Sequence, residues 1–274
     1  MQYRQTEQAL FSKRRAFEAG LDASLPVNGR AYLKGWCWVC KGPRKFLYDR
    51  LYSSTGTVNW RERLVCQVCG LNNRLRMSAQ LFESLSPIPV QHSRIYLTEQ
   101  LTPFASFIRK KYFGTVFSEY IDENLPSGFV DARGLRHEDV TSLSLQDARI
   151  EYLLSFDVLE HVPNYRAALS EFFRVLVPGG VLLMSVPFLL NAQANVVRAL
   201  RNEDGEIVHC LAPEYHGDPI NPTDGILCYY HFGWELLNDL RLAGFQEVGV
   251  HLYWSLDYGI IGAEQLAIIA RRRA

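Results

Sequence analysis

Residues 150–187 read IEYLLSFDVLEHVPNYRAALSEFFRVLVPGGVLLMSVP, a strand, a crossover helix and a second strand laid end to end. Ile150 to Phe156 is a mostly apolar run that stops at Asp157. That is the pattern of a strand buried on both faces whose polar end leaves the carboxyl edge of a sheet. Pro163 and Asn164 can start the helix, and Tyr165, Ala168, Leu169, Phe172 and Leu176 recur at helical spacing to give it one apolar face. Pro178-Gly179-Gly180 is expected to end the helix. Val181 to Val186 then supplies the next strand, parallel to the first through a right-handed crossover.

Asp157-Val158-Leu159-Glu160-His161-Val162 after the first strand, together with Arg174-Val175-Leu176-Val177-Pro178-Gly179-Gly180 after the helix, resembles the class I S-adenosylmethionine-dependent methyltransferase domain. The resemblance extends from about residue 91 to the C-terminus. It implies an α/β fold, a seven-stranded, mostly parallel, doubly wound sheet in the order 3-2-1-4-5-7-6 with strand 7 antiparallel, and S-adenosylmethionine as cofactor. The first strand of that sheet falls at Arg94 to Thr98, followed by a helix with Phe104, Phe107 and Ile108 on its apolar stripe. The family places a glycine-rich loop between the two, because bare backbone can approach the cofactor closely. Here the loop reads Glu99-Gln100-Leu101-Thr102-Pro103, without glycine, and Glu99 or Gln100 is left to receive the ammonium of the methionine part.

Thr115 to Glu119 reads as the second strand. A carboxylate at its carboxyl end, Glu119, can accept both vicinal hydroxyl protons of a ribose. By the same resemblance, the segment from His137 to Leu143 brackets adenine with Asp139 accepting from the exocyclic amine, while Ser155, Phe156 and Asp157 border the reactive methyl. Methyl transfer from a sulfonium is an in-line displacement that needs alignment and exclusion of water more than covalent catalysis. An oxygen nucleophile also benefits from a base, for which His161 is the candidate.

Residues 187–231 form a long insertion after the fifth strand, expected to cover the substrate. Its mixture of His209, Glu214, Tyr215, His216, Asp218, Asn221, Asp224, Tyr229, Tyr230 and His231 suits a hydroxyl-bearing ring. A second metal site drawn from His209, Cys210, His216, Asp218 and Cys228 matches no standard spacing. Residues 233–244 then read as a helix, and residues 245–253 and 265–270 as the final strands.

Upstream, Cys37-Trp38-Val39-Cys40 and Cys66-Gln67-Val68-Cys69, the second pair followed by Gly70, carry the spacing of a four-sulfur zinc ribbon. Two residues between thiols let a tight knuckle aim both sulfurs at one ion. A closed four-thiolate shell leaves no open position, so a zinc here is structural. Residues 1–90, a helical segment plus this ribbon, are expected to form one domain and residues 91–274 the other. Residues 1–90 hold 14 Lys and Arg against 6 Asp and Glu, leaving 15 against 23 downstream, so the neutral total hides a basic and an acidic half. No apolar stretch reaches membrane-spanning length, and a cytoplasmic location is expected.

The sequence thus predicts a methyltransferase acting on oxygen or nitrogen of a polar small-molecule acceptor, a sugar or glycan. Two other readings stand beside it. One is an RNA-modifying enzyme whose basic ribbon, with Trp36, Trp38 and Trp60 among arginines, binds RNA. The other is a noncatalytic interaction protein that kept the sheet and lost the cofactor.

Overall fold

The computed structural model describes residues 2–53, 55–85 and 93–274, so the expected domain boundary at 90/91 lies outside the described residues. The chain divides into two compact units, residues 1–87 with 252–266, and residues 88–251 with 267–274.

The first unit contains α1 (Gln2–Ala23), β1 (Ala31–Cys37), β2 (Gly42–Tyr48), β3 (Val65–Cys66) and α2 (Asn73–Leu85). β1 and β2 form an antiparallel hairpin from Ala31↔Tyr48 to Cys37↔Gly42, and β3 adds to β2 through Phe46↔Cys66. Lys41 at φ 49° helps close the first cysteine knuckle and Gly70 at φ 73° the second, a conformation that costs glycine nothing. The core is small. Cys37, Phe46, Leu64 and Cys66 are fully buried, joined by Leu25, Tyr48, Val58 and Ile261.

Arg76, 1% exposed, fills much of the remaining space. Its guanidinium lies 3.8 Å from the centre of the Phe46 ring and donates to the carbonyls of Leu64, Tyr258 and Gly259 at 3.1, 2.7 and 2.7 Å. Burial pushes its pKa down to about 10, opposed by the charges of the four cysteine sulfurs, so the group stays cationic at neutral pH. Gly259, at φ 58°, cannot carry a side chain because a Cβ would overlap the Phe46 ring. These contacts explain why residues 252–266 cluster with the first unit, whereas the sequence reading leaves them in the C-terminal domain.

The second unit is built on β4 (Ile95–Leu97), α3 (Pro103–Lys111), β5 (Thr115–Phe117), β6 (Ile150–Phe156), α4 (Tyr165–Val175) and β7 (Leu176–Ser185). The short strands β8 (Val196–Val197), β9 (Ala199–Arg201), β10 (Ile207–His209), β11 (Tyr215–His216), β12 (Ile226–Leu227) and β13 (Tyr230–His231) follow. α5 (Glu235–Leu242), β14 (Glu247–Ser255) and β15 (Ile260–Arg271) end the chain. The main sheet runs β14-β15-β7-β6-β4-β5, with β5, β4, β6 and β7 parallel and β15 antiparallel to β7. This is the expected α/β sheet with its reversed final hairpin.

Two details depart from the sequence reading. The third strand that the resemblance implies is reduced to one parallel bridge, Glu119↔His137, so the described sheet has six strands. The intervening residues 120–136 are turns, with left-handed Gly128 and Gly134 and the local Asp131 cap on Arg133 and Leu135. Nor does Pro178-Gly179-Gly180 end the helix. α4 stops at Val175, and the three residues lie within β7, where Gly179 donates to the Arg272 carbonyl and Arg272 donates back to Gly180. Pairing with the chain terminus, not local turn chemistry, decides their conformation.

α4 starts where Asn164 caps it by accepting from the Ala167 amide, and buries Tyr165, Ala168, Leu169, Phe172 and Val175. Leu153, Leu154 and Leu182 are fully buried in the strands beneath, each contributing about 1.5–3 kcal/mol.

Replacing Arg76 with Met removes the donors to three buried carbonyls, and a loss of about 3 kcal/mol from the first unit is expected. Urea unfolding followed by tryptophan fluorescence reads this, since Trp36, Trp38, Trp60 and Trp254 all lie in that unit. An unchanged midpoint contradicts the role.

Candidate active site

Because β4, β5 and β6 run parallel, their carboxyl ends share one edge, and that edge carries Glu99, Glu119 and Asp157. Glu119 is 9% exposed and spends Oε1 on the loop after β4, accepting from the amides of Gln100 at 2.7 Å and Leu101 at 2.9 Å. Gln100 extends the same clamp, donating from Nε2 to the Gly134 carbonyl and accepting the Arg136 amide on Oε1. Thr102 then caps α3 by accepting from Ala105, with Pro103 in its first turn. No residue from 98 to 102 has positive φ, so this loop holds its shape without the glycines that the resemblance implies. Burial pushes the Glu119 carboxyl upward, against the two amides that favour its ionised form.

Asp139 is used locally, Oδ1 accepting from both the amide and the hydroxyl of Thr141, while its own amide donates to Ser127. Phe156 packs edge-on to Phe104 with centroids 5.0 Å apart. Ser155 is 1% exposed, and its Oγ has no hydrogen-bond partner among the described residues. Asp157 adopts φ 55°, a left-handed conformation that costs a residue with a Cβ on the order of 1–2 kcal/mol. Ser185 at the end of β7 holds it there, the Asp157 amide donating to the Ser185 carbonyl and the Ser185 hydroxyl to Oδ1, each at 2.9 Å.

Beyond Asp157 a single 3-10 turn, Leu159–His161, folds back over the edge. His161 Nδ1–H donates to the Leu227 carbonyl at 2.8 Å, Tyr229 donates its amide to the Glu160 carbonyl at 2.7 Å, and the Tyr230 hydroxyl donates to Pro163 at 2.7 Å. The insertion is thereby stitched to the turn. His161 Nε2 lies 3.8 Å from Oε1 of Glu160, a fully buried carboxylate, and His216 Nδ1 lies 3.8 Å from that same oxygen. The two imidazole rings meet edge to face at 4.9 Å. His216 Nε2 is bonded to Glu214 at 2.9 Å, as is His231 Nε2 at 3.1 Å. Asp218 lies close enough to act on the ionisation of both His161 and Glu119, so the insertion faces the strand ends.

Sequence reasoning named His161 and placed Glu214 and His216 in the insertion's polar lining, but it gave Glu160 no role and missed the convergence of these groups on His216. The signal available was a Glu-His pair at a strand end, followed some fifty residues later by Glu214-x-His216. Of the other suspected ligands, His209 and Cys210 are exposed and belong to none of the ligand clusters. Cys228 is buried with its thiol donating to the Tyr230 carbonyl.

In the first unit, Cys37, Cys40, Cys66 and Cys69 bring their sulfurs within 4.8 Å of one another, with Cys37 to Cys69 at 3.9 Å and Cys40 to Cys66 at 3.8 Å. Hydrogen bonds from Cys37 and Cys69 hold Cys66 below the ordinary thiol range, and both donors are raised in turn.

Residues 96–184 match the family model described as a methyltransferase domain. The matched segment runs from β4 through β7. A curated relative, a probable S-adenosylmethionine-dependent methyltransferase of Mycolicibacterium smegmatis, is 43% identical over 53 residues, covering 19% of this chain and 21% of that protein. The chain therefore spans about a fifth of the length of the curated relative it matches. Among solved structures, an S-adenosylmethionine-dependent methyltransferase from Mesorhizobium loti matches at 17% identity and TM-score 0.44, over 70% of this chain and 96% of the other. A possible histamine N-methyltransferase from Thermotoga maritima matches at 18% identity and TM-score 0.41, over 73% and 88%.

His161 is pushed from the ordinary 6.5 down to about 4, by burial first and by the neighbouring His216, with the Leu227 hydrogen bond and then Asp157 and Asp218 opposing. A depressed histidine contributes stability that is complete above pH 6.5 and is lost as pH falls through about 4. Urea unfolding of the second unit is expected to weaken by up to about 3 kcal/mol across that window. His161→Gln should flatten the dependence, and an equally steep loss in the variant assigns it to other groups.

Proposed function

We propose that the protein is an S-adenosylmethionine-dependent methyltransferase, with the cofactor lying along the carboxyl edge of β4, β5 and β6. The observation that carries this reading is the Glu119 clamp, which fixes the glycine-free loop with its amides paired at the place where the fold receives a nucleoside. Three further features fit the group: the orphaned Ser155 hydroxyl, the buried Glu119 carboxylate, and the left-handed turn at Asp157.

In this reading Glu119 accepts from ribose hydroxyls, Glu99 receives the methionine ammonium, Asp139 meets the adenine amine, and Ser155, Phe156 and Asp157 border the methyl. Bound S-adenosylmethionine supplies an electrophilic methyl on a sulfonium. The chain's own contribution is alignment and exclusion of water. Asp157 keeps the exit from β6 open, and the insertion, anchored at Leu227, Tyr229 and Tyr230, covers the edge. The polar and aromatic lining of that insertion favours a hydroxyl-bearing acceptor, a sugar or glycan, methylated on oxygen or nitrogen. With its pKa pushed down to about 4, His161 is a weak proton acceptor. It serves as an anchor for the insertion more readily than as the base.

The four cysteines are assigned a structural zinc. A tetrahedral ion with Zn–S bonds of about 2.3 Å separates sulfurs by about 3.8 Å, which matches the two separations of 3.9 and 3.8 Å. The site is closed, so this zinc holds the knuckles together and takes no part in methyl transfer.

Calorimetric titration with S-adenosylmethionine tests the first assignment. Saturable binding is expected, weakened by about 1–3 kcal/mol in Glu119→Ala as ribose hydroxyls and loop amides lose their acceptor. A folded chain with no binding, or with affinity indifferent to Glu119, refutes it. Elemental analysis tests the second: zinc should accompany the unaltered chain and be lost in Cys37→Ser. A metal-free chain with an intact first unit ends that assignment.

A further inference from the structure

The arrangement of Glu160, His161 and His216 needs explaining beyond a methyl-transfer site. Three acceptor atoms, Glu160 Oε1, His161 Nε2 and His216 Nδ1, converge within 4.8 Å of one another over a fully buried carboxylate. Each imidazole is held so that its lone pair faces inward. His161 donates its Nδ1–H to the Leu227 carbonyl, and His216 donates its Nε2–H to Glu214. Neutral imidazole lone pairs aimed at a carboxylate oxygen are mutually repulsive unless a cation lies between them. A backbone carbonyl or carboxylate fixing the far ring nitrogen is also the usual support of a histidine metal ligand.

We propose that Glu160, His161 and His216 bind a divalent transition-metal ion, in a site separate from the four cysteines. The two separations of 3.8 Å, with the third edge no longer than 4.8 Å, place a common centre roughly 2.2–2.5 Å from all three atoms. Zinc–nitrogen and zinc–oxygen bonds need about 2.0–2.2 Å, so a slight closure completes the site. Two imidazoles and a carboxylate suit zinc, iron(II) or cobalt(II) better than magnesium or calcium, which prefer oxygen alone. The overlapping group of Glu214, His216 and Cys228 is the weaker candidate. Glu214 already serves His216, His231 and Arg198, and the Cys228 thiol is engaged with Tyr230.

Three protein ligands leave coordination positions open, as in metal sites that receive a substrate oxygen. His216 is the partly exposed member, its side chain 30% accessible, so the open side of the ion is on the insertion. Resting on the methyl-transfer reading, this makes the acceptor a molecule that offers hydroxyl oxygens to the ion, which lowers their pKa and removes the need for a protein base. Binding of the ion itself does not depend on that reading.

The test is metal stoichiometry of the full chain, equilibrated with Zn2+ and desalted. His216→Ala should bind one equivalent fewer than the unaltered protein, whatever the cysteine cluster retains, and Glu160→Gln should do the same. His209→Ala, altering an exposed residue of β10 in the same insertion, should lose none. Titration with Co2+ gives a second readout: the His216-dependent equivalent should show visible bands without sulfur-to-cobalt charge transfer. Glu160 is buried and its variant can misfold, but His216 is partly exposed, so the His216→Ala comparison decides. Equal metal content in that variant and the unaltered chain overturns the proposal, as does a His216-dependent equivalent that carries sulfur charge transfer.

Discussion

The left-handed turn at Asp157 is the constraint on which the second unit depends. β6 is buried on both faces and flanked by parallel partners, so its chain cannot leave the sheet sideways. It leaves at the carboxyl edge through one residue at φ 55°, held from β7 by both the backbone and the hydroxyl of Ser185. The direction of that exit sends Leu159–His161 back over the edge, which in turn gives the insertion its docking points at Glu160, His161 and Pro163. A strain on the order of 1–3 kcal/mol at a strand end is tolerated where the surroundings over-determine it, and such positions gather at functional sites.

A second constraint acts on the neighbouring strand. Glu119 stands just beyond β5, yet its carboxylate is directed at the loop following β4 and fixes that loop through the amides of Gln100 and Leu101. Two strand ends are therefore tied by one side chain. Its burial and the proximity of Asp218 both resist the charge that the amides favour, so Glu119 is electrostatically taut, a condition common to groups that await a polar ligand.

Much of this was legible in the sequence because it rests on local pattern. The run from Ile150 to Phe156 and the stripe of α4 marked the central strand–helix–strand unit, the family resemblance implied the strand order, and the doubled Cys-x-x-Cys marked the sulfur cluster. What escaped depends on contacts distant along the chain. Pro178-Gly179-Gly180 reads as a stop, but Arg272 makes it a strand. The third strand fails because residues 120–136 satisfy their polar groups in turns, leaving a single bridge to Glu119. The hairpin of β14 and β15 reads as sheet throughout, although its far end belongs to the first unit, where Arg76 and Phe46 grip it. The convergence of Glu160 and His161 with His216 spans more than fifty residues and has no periodicity to announce it.

In the proposed reading a nucleoside sulfonium lies along the edge defined by Glu119 and Asp157. Hydrogen–deuterium exchange of the full chain with and without S-adenosylmethionine tests it most directly. Slowed exchange is expected at residues 98–102 and 157–162, with the amides of residues 31–48 in the first unit unaffected. Exchange at both edge segments that is unchanged at saturating ligand contradicts it.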